Sequence, residues 1–145
     1  MMFKRIFVYG LLAGLAMLVA GMGVSQVFTM MLPGLEAEYQ NEYLFRPWSD
    51  PAMLLYFVHP FIIGIILAWF WEKTKVVFPA SSAFVNGLQF ALAYWAFSLG
   101  GMLMSYSSFP ISLTMIGSWT AGLLVEAIVV GVLLSLLNPR KSPAS

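Results

Sequence analysis

Cysteine is absent from this chain, and charge is scarce: of 145 residues, 7 are Lys or Arg, 6 are Asp or Glu and 1 is His. Without cysteine there is no disulfide, thiolate metal site or cysteine nucleophile. Charged residues make up 9% of the chain, whereas a soluble domain carries roughly 25%. So little polar surface cannot hold a folded domain in water. The 61% of hydrophobic residues point instead to one integral membrane domain over residues 1–145. A net charge of +1 forms no basic stripe, so nucleic acid is not an expected partner. No phosphate-binding Gly-rich loop, HExxH or Ser-His-Asp set occurs, and a single histidine cannot complete a metal site of three or four ligands. The sequence therefore leads us to expect no catalytic residue, no metal and no cofactor. Haem would have His59 as an axial ligand, but a packed histidine is the commoner role.

What the chain has is long apolar runs. The first, about residues 6–32, follows Lys4-Arg5 and ends at Pro33-Gly34. At about 1.5 Å per residue it can cross a ~30 Å hydrocarbon core. A signal peptide is the competing reading, but its core is roughly 7 to 15 residues and a clean Ala-x-Ala site is missing. Gly10, Gly14 and Gly21, beside Ala13 and Ala20, give this run a small-residue face for close helix contact. The second run, residues 52–71, carries a His59-Pro60 pair inside it and closes on Trp69-Phe70-Trp71, an interfacial aromatic anchor. Pro60 is expected to kink it. A connection including Pro79, Ser81 and Ser82 leads to a third run, residues 83–105, with Asn86, Gln89, Tyr94, Trp95 and Ser98. The fourth, residues 111–137, holds Ser118, Gly122 and Glu126 on one face and ends at Asn138-Pro139.

Residues 33–51 form the one substantial loop. Leu35, Tyr39 and Tyr43 recur at four-residue spacing, as do Glu38, Glu42 and Arg46, which predicts a short interfacial helix stopped by Pro47. With Trp48 and Asp50, these polar residues make the loop's outer surface. Asp50 suits an N-cap, with Pro51 at the first helical position.

Charge sets the expected topology. Lys4, Arg5, Lys73, Lys75, Arg140 and Lys141 fall on one side of four crossings, and only Arg46 on the other. Basic residues favour the cytoplasmic side, so both termini are expected inside a cell inner membrane and the 33–51 loop outside. The fold expected is an all-α, multi-pass four-helix bundle.

The two halves also look related. A shift of 77 residues places GLLAGLA (10–16) on GLQFALA (87–93), and a shift of 67 places VHPFIIG (58–64) on VEAIVVG (125–131). That pattern describes two hairpins in parallel repeat, related by an axis along the membrane normal. It places His59 and Glu126 at equivalent positions, roughly 20 Å from the cytoplasmic boundary.

These two are the only ionisable groups within the apolar runs. Such groups are costly in hydrocarbon and usually face a bundle interior with a partner. Two roles are open: a proton or ligand site in which His59 and Glu126 meet, with Tyr94 and Ser98 nearby, or a polar contact that fixes helix register. The second is the commoner role for buried polar groups. Trp95 and Trp119 are candidates to line a lipid or quinone pocket, although core aromatics are commoner.

The ending GSWTAGLLVEAIVVGVLLSLL and the loop LFRPWSDPAM resemble those of small four-helix bacterial inner-membrane proteins of unassigned activity. The resemblance implies no chemistry and carries over only Arg46, Pro47 and Glu126 as positions of interest. Function is thus expected to be non-enzymatic: a homo-oligomer or an accessory subunit of a larger membrane complex, with membrane lipids and itself or another membrane protein as partners. A small proton-coupled transporter using His59 and Glu126 is the alternative, followed by a lipid- or quinone-binding protein.

Overall fold

The computed structural model of the chain describes residues 2–78 and 82–139. Within them lie α1 (Met2–Met31), α2 (Pro33–Tyr39), α3 (Leu54–Thr74), α4 (Ala83–Ser108) and α5 (Leu113–Leu137), with 3-10 turns at Pro51–Met53 and Lys75–Val77. No strand occurs among the described residues. The structure is an all-α four-helix bundle in which four helices are long and apolar enough to cross a membrane. Pro79, Ser81, Arg140 and Lys141, used above for the third connection and the charge count, lie outside the described residues.

Contacts at the two ends fix the path of the chain. Arg5, near the start of α1, bonds to Glu72 near the end of α3. Trp71 of α3 reaches the backbone of Asn138 just after α5, and Ser135 of α5 reaches the backbone of Ala83 at the start of α4. At the opposite end, Glu38 of α2 bonds to Ser112 at the start of α5. The four long helices therefore alternate in direction. Lys4, Arg5, Lys73 and Lys75 sit at one end, called here the basic end, and α2 with Arg46 sits at the other.

Packing order differs from chain order. α1 and α5 form the central pair, α3 packs on α1, and α4 packs on α5; α3 and α4 share no substantial interface among the described residues. The main core, including Met17, Leu67, Trp71, Phe90 and Val130, runs from mid-membrane to the basic end. A smaller cluster of Leu35, Ile111, Met115 and Ile116 closes the α2 end. Outward apolar side chains such as Phe3, Val19, Phe97 and Leu103 are exposed, as lipid-facing residues must be.

Glycines set how closely each hairpin packs. A Cβ built on Gly10 would lie 2.5 Å from the Cα of Ile65, and one on Gly87 would lie 2.7 Å from the Cα of Val132. Reciprocally, a Cβ on Gly64 would collide with the Gly10 carbonyl and Gly14, and one on Gly131 with the Gly87 carbonyl and Ala91. Each residue of the first crossing corresponds to one of the second under the same two shifts of 77 and 67 residues. The α1/α3 and α4/α5 hairpins cross at matching residues.

Three local expectations change. The short helix stops at Tyr39 and not at Pro47, because the Asn41 side chain accepts the Tyr43 N–H and turns the chain. The Glu42-to-Arg46 pairing is consequently replaced by Arg46 to Asp50 at 2.7 Å. Trp71 is no interfacial anchor: it is 1% exposed, stacked on Phe78 and edge-on to Phe90, while Trp69 and Phe70 face outward. Its indole N–H donates to the Asn138 carbonyl at 3.0 Å, which holds that polar atom inside the core. The start of α3 matches its sequence signal, since Asp50 accepts the Ala52 N–H at 2.8 Å with Pro51 following.

Candidate functional site

Glu126 lies near the middle of α5, and its carboxylate approaches α1 at Gly21. A Cβ on Gly21 would stand 2.6 Å from Glu126 Oε1, so any larger residue there would require the carboxylate end to move aside. One turn earlier on α5, Gly122 takes Val24 of α1 at ordinary contact distance, 3.5 Å from a built Cβ. Glu126 is half-buried and has no hydrogen bond or ion pair among the described residues.

The carboxylate sits on the wall of a cleft of about 1070 Å³ that opens towards the α2 end. α1 contributes Gly21, Ser25 and Gln26, and α5 contributes Ser118 and Trp119. The loop after α2 supplies Glu42, Arg46 and Trp48, and α3 supplies Tyr56. Pro60 has no N–H, so the Tyr56 carbonyl one turn earlier lacks its helical donor. Tyr56 and Tyr94 both lie within electrostatic reach of Glu126.

The mouth of the cleft is tied down by polar contacts. Glu38 accepts both the N–H and the hydroxyl of Ser112 at 2.6 Å, while Ser112 Oγ accepts the Met115 N–H. α2 is thereby fixed to the N-terminus of α5, where a carboxylate is favoured by the helix dipole. Trp119 Nε1–H donates to the Tyr39 hydroxyl at 2.6 Å, and Phe45 packs beside both rings. The Ala52 N–H, and then the Arg46 guanidinium, hold the Asp50 carboxyl below the usual carboxylate range. Among the charged lining groups, Glu36, Glu42 and Glu126 outnumber Arg46, which Asp50 already engages.

His59 lies elsewhere. It is exposed on α3, while its neighbour Pro60 is buried against α1. It does not line the cleft, and no hydrogen bond or ion pair joins it to Glu126 among the described residues. Of the polar group expected in mid-membrane, Glu126 lines the cleft and Tyr94 and Ser98 do not. Ser98 donates to the Tyr94 carbonyl at 2.9 Å and is half-buried. Among the described residues no group of three His, Cys, Asp or Glu is placed to hold a metal.

A second polar cluster, at the basic end, was not anticipated. Glu72 receives Arg5 at 3.2 Å and Lys75 at 3.0 Å, and the Asn138 amide donates to it as well. Lys75 also donates to Asn138 Oδ1 at 2.9 Å. The i,i+3 spacing of Glu72 and Lys75 was a readable signal, but the cross-helix role of Asn138 was not. This cluster joins the ends of α1, α3 and α5.

No family model, curated protein or solved structure matches the chain.

Proposed function

We propose that the chain is a non-enzymatic integral membrane protein that binds an amphipathic cation in the cleft, with Glu126 as its counter-ion. One observation carries the reading: a half-buried carboxylate facing a cleft, without a partner among the described residues. Ionisable groups at such depth ordinarily pair, and the excess of acidic groups along the cleft favours a positive partner over a phosphate or carboxylate head. Trp48, Tyr56 and Trp119 offer aromatic faces on which an organic cation can rest.

Tetraphenylphosphonium is a suitable probe. It should raise the melting temperature of the detergent-solubilised protein and leave Glu126→Gln unmoved, because glutamine keeps the shape and loses the charge. Equal shifts in the two proteins would refute the cation site. A proton-coupled transporter using His59 and Glu126 loses its support, because the two groups have no shared site. Lipid or quinone would use the aromatic walls but leave the acidic groups without a role.

A second reading is association with itself or with a larger membrane complex as an accessory subunit. It is favoured by His59, an ionisable group left on an outward face of α3. We further infer that the two hairpins are an internal repeat, supported by their matching glycine crossings, and that the basic end and both termini face the cytoplasm across a bacterial inner membrane.

A further inference from the structure

The matching crossings define a correspondence in which α4 is the equivalent of α1, and α5 the equivalent of α3. The contact between hairpins is α1 on α5. A two-fold relation would have to produce an equal α4-on-α3 interface as well. Among the described residues those two helices share no such interface, meeting through Trp71 and Phe90 at the basic end. The two hairpins are therefore joined head to tail. Such a contact leaves one complementary face open at each end of the row, and repeating it adds further units until a ring closes. Here the open faces belong to α3 and α4.

We propose that a second copy of this chain covers them, with α4 of one protomer packing on α3 of its partner in the register that α1 adopts on α5. The proposal rests on the self-association reading above and is independent of what the cleft binds. The register makes named pairs. Glu126 against Gly21 becomes His59 against Ser98, and Gly122 beside Val24 becomes Leu55 beside Gly101. In the first pair the small residue stays on the α1/α4 side, and in the second it changes sides together with its large partner, so the volumes stay complementary in both.

Each of these positions is available. Leu55 is 67% exposed, and a Cβ on Gly101 would meet nothing within 4 Å. Ser98 retains a hydroxyl oxygen that can accept a hydrogen bond from an imidazole N–H while its own O–H donates to the Tyr94 carbonyl. In the single chain His59 has no hydrogen-bond partner among the described residues. In the assembly it has one at the depth where a lone ionisable group is costly.

The absence of cysteine makes the test clean. Leu55→Cys and Gly101→Cys, carried on differently tagged copies, are co-expressed and oxidised in native membranes. The expected product is a mixed dimer linked from position 55 to position 101, with neither variant cross-linking when expressed alone. Adding His59→Leu to the pair should lower the yield roughly threefold, the scale of one interhelical hydrogen bond. Cross-links of 55 to 55 or 101 to 101 would overturn the head-to-tail register while preserving self-association. No cross-link in any combination, with a monomer mass in detergent, would overturn both. Both cysteines lie on exposed faces, so misfolding is no escape, and retained helical circular dichroism confirms it.

Discussion

Gly64 lies so close to Gly10 that a methyl group on Gly64 would run into the Gly10 carbonyl and the backbone of Gly14. Gly131 stands in the same relation to Gly87 and Ala91. Close backbone approach between membrane helices gains packing that side chains would block, so both hairpins depend on a hydrogen atom in place of a side chain.

Gly64→Ala and Gly131→Ala should therefore be comparably harmful. Overpacking of this kind typically costs about 1 to 3 kcal/mol. Gly23, with nothing within 4 Å of a built Cβ, is the control; Gly23→Ala should be neutral or gain up to ~1 kcal/mol of helix propensity. Unfolding in mixed micelles measures all three. Tolerance at Gly64 with damage at Gly131 would show that the hairpins are not equivalent.

Much of this was legible in the sequence because it depends on local signals. Long apolar runs bounded by Pro33, Asp50-Pro51 and Asn138-Pro139 mark the helices, and the small-residue face of Gly10 and Gly14 lies where α1 crosses α3, whereas the crossings at Gly64, Gly87 and Gly131 emerge only from the packing. Side-chain direction was less legible. Equal depth for His59 and Glu126 follows from the alignment of the hairpins, but depth says nothing about facing. Glu126 turns towards α1 because α5 is central in the packing order, whereas α3 is peripheral and His59 looks outward. Hydrophobic periodicity could not reveal that order, since lipid-facing and core-facing sides of these helices are equally apolar. The loop helix failed for a related reason: four-residue spacing continues through Tyr43, but the Asn41 turn ends the helix first.

The Glu72 cluster should show a ranked response. Glu72 has 14% of its side chain exposed and serves three partners, whereas Arg5 has 47% exposed and serves one. Glu72→Ala leaves the Asn138 amide without its acceptor and Lys75 with only Asn138 Oδ1, a loss of about 1 to 3 kcal/mol for a buried polar group left unsatisfied. Arg5→Ala removes a solvent-screened pair worth at most ~1 kcal/mol. Asn138→Ala should fall between the two in thermal unfolding. Equal effects of Glu72→Ala and Arg5→Ala would mean that the cluster is screened throughout.

Orientation is testable at described positions. Cysteine at Gln40 should react with an impermeant maleimide in intact cells, because it lies at the α2 end. Cysteine at Ser82, next to the start of α4 at the basic end, should react only after the membrane is opened. The reverse pattern would invert the topology while keeping four crossings; labelling of both from outside would break the count of crossings itself.

His59 and Glu126 should behave as independent residues. No hydrogen bond or ion pair joins them among the described residues, the cleft includes only Glu126, and the proposed second copy gives His59 a different partner, Ser98. Substitutions without a shared partner add within about 0.3 to 0.5 kcal/mol, whereas contacting pairs couple by roughly 0.5 to 3 kcal/mol. A cycle of His59→Ala, Glu126→Ala and the double variant, followed by unfolding in micelles, separates the cases. Additivity is the expected result. In membranes His59→Ala should lower cross-linking between positions 55 and 101 and leave tetraphenylphosphonium binding intact, while Glu126→Ala should do the reverse. Coupling above about 1 kcal/mol within one chain would restore the two groups to a single site and remove the reason for seeking a partner for His59 in a second copy.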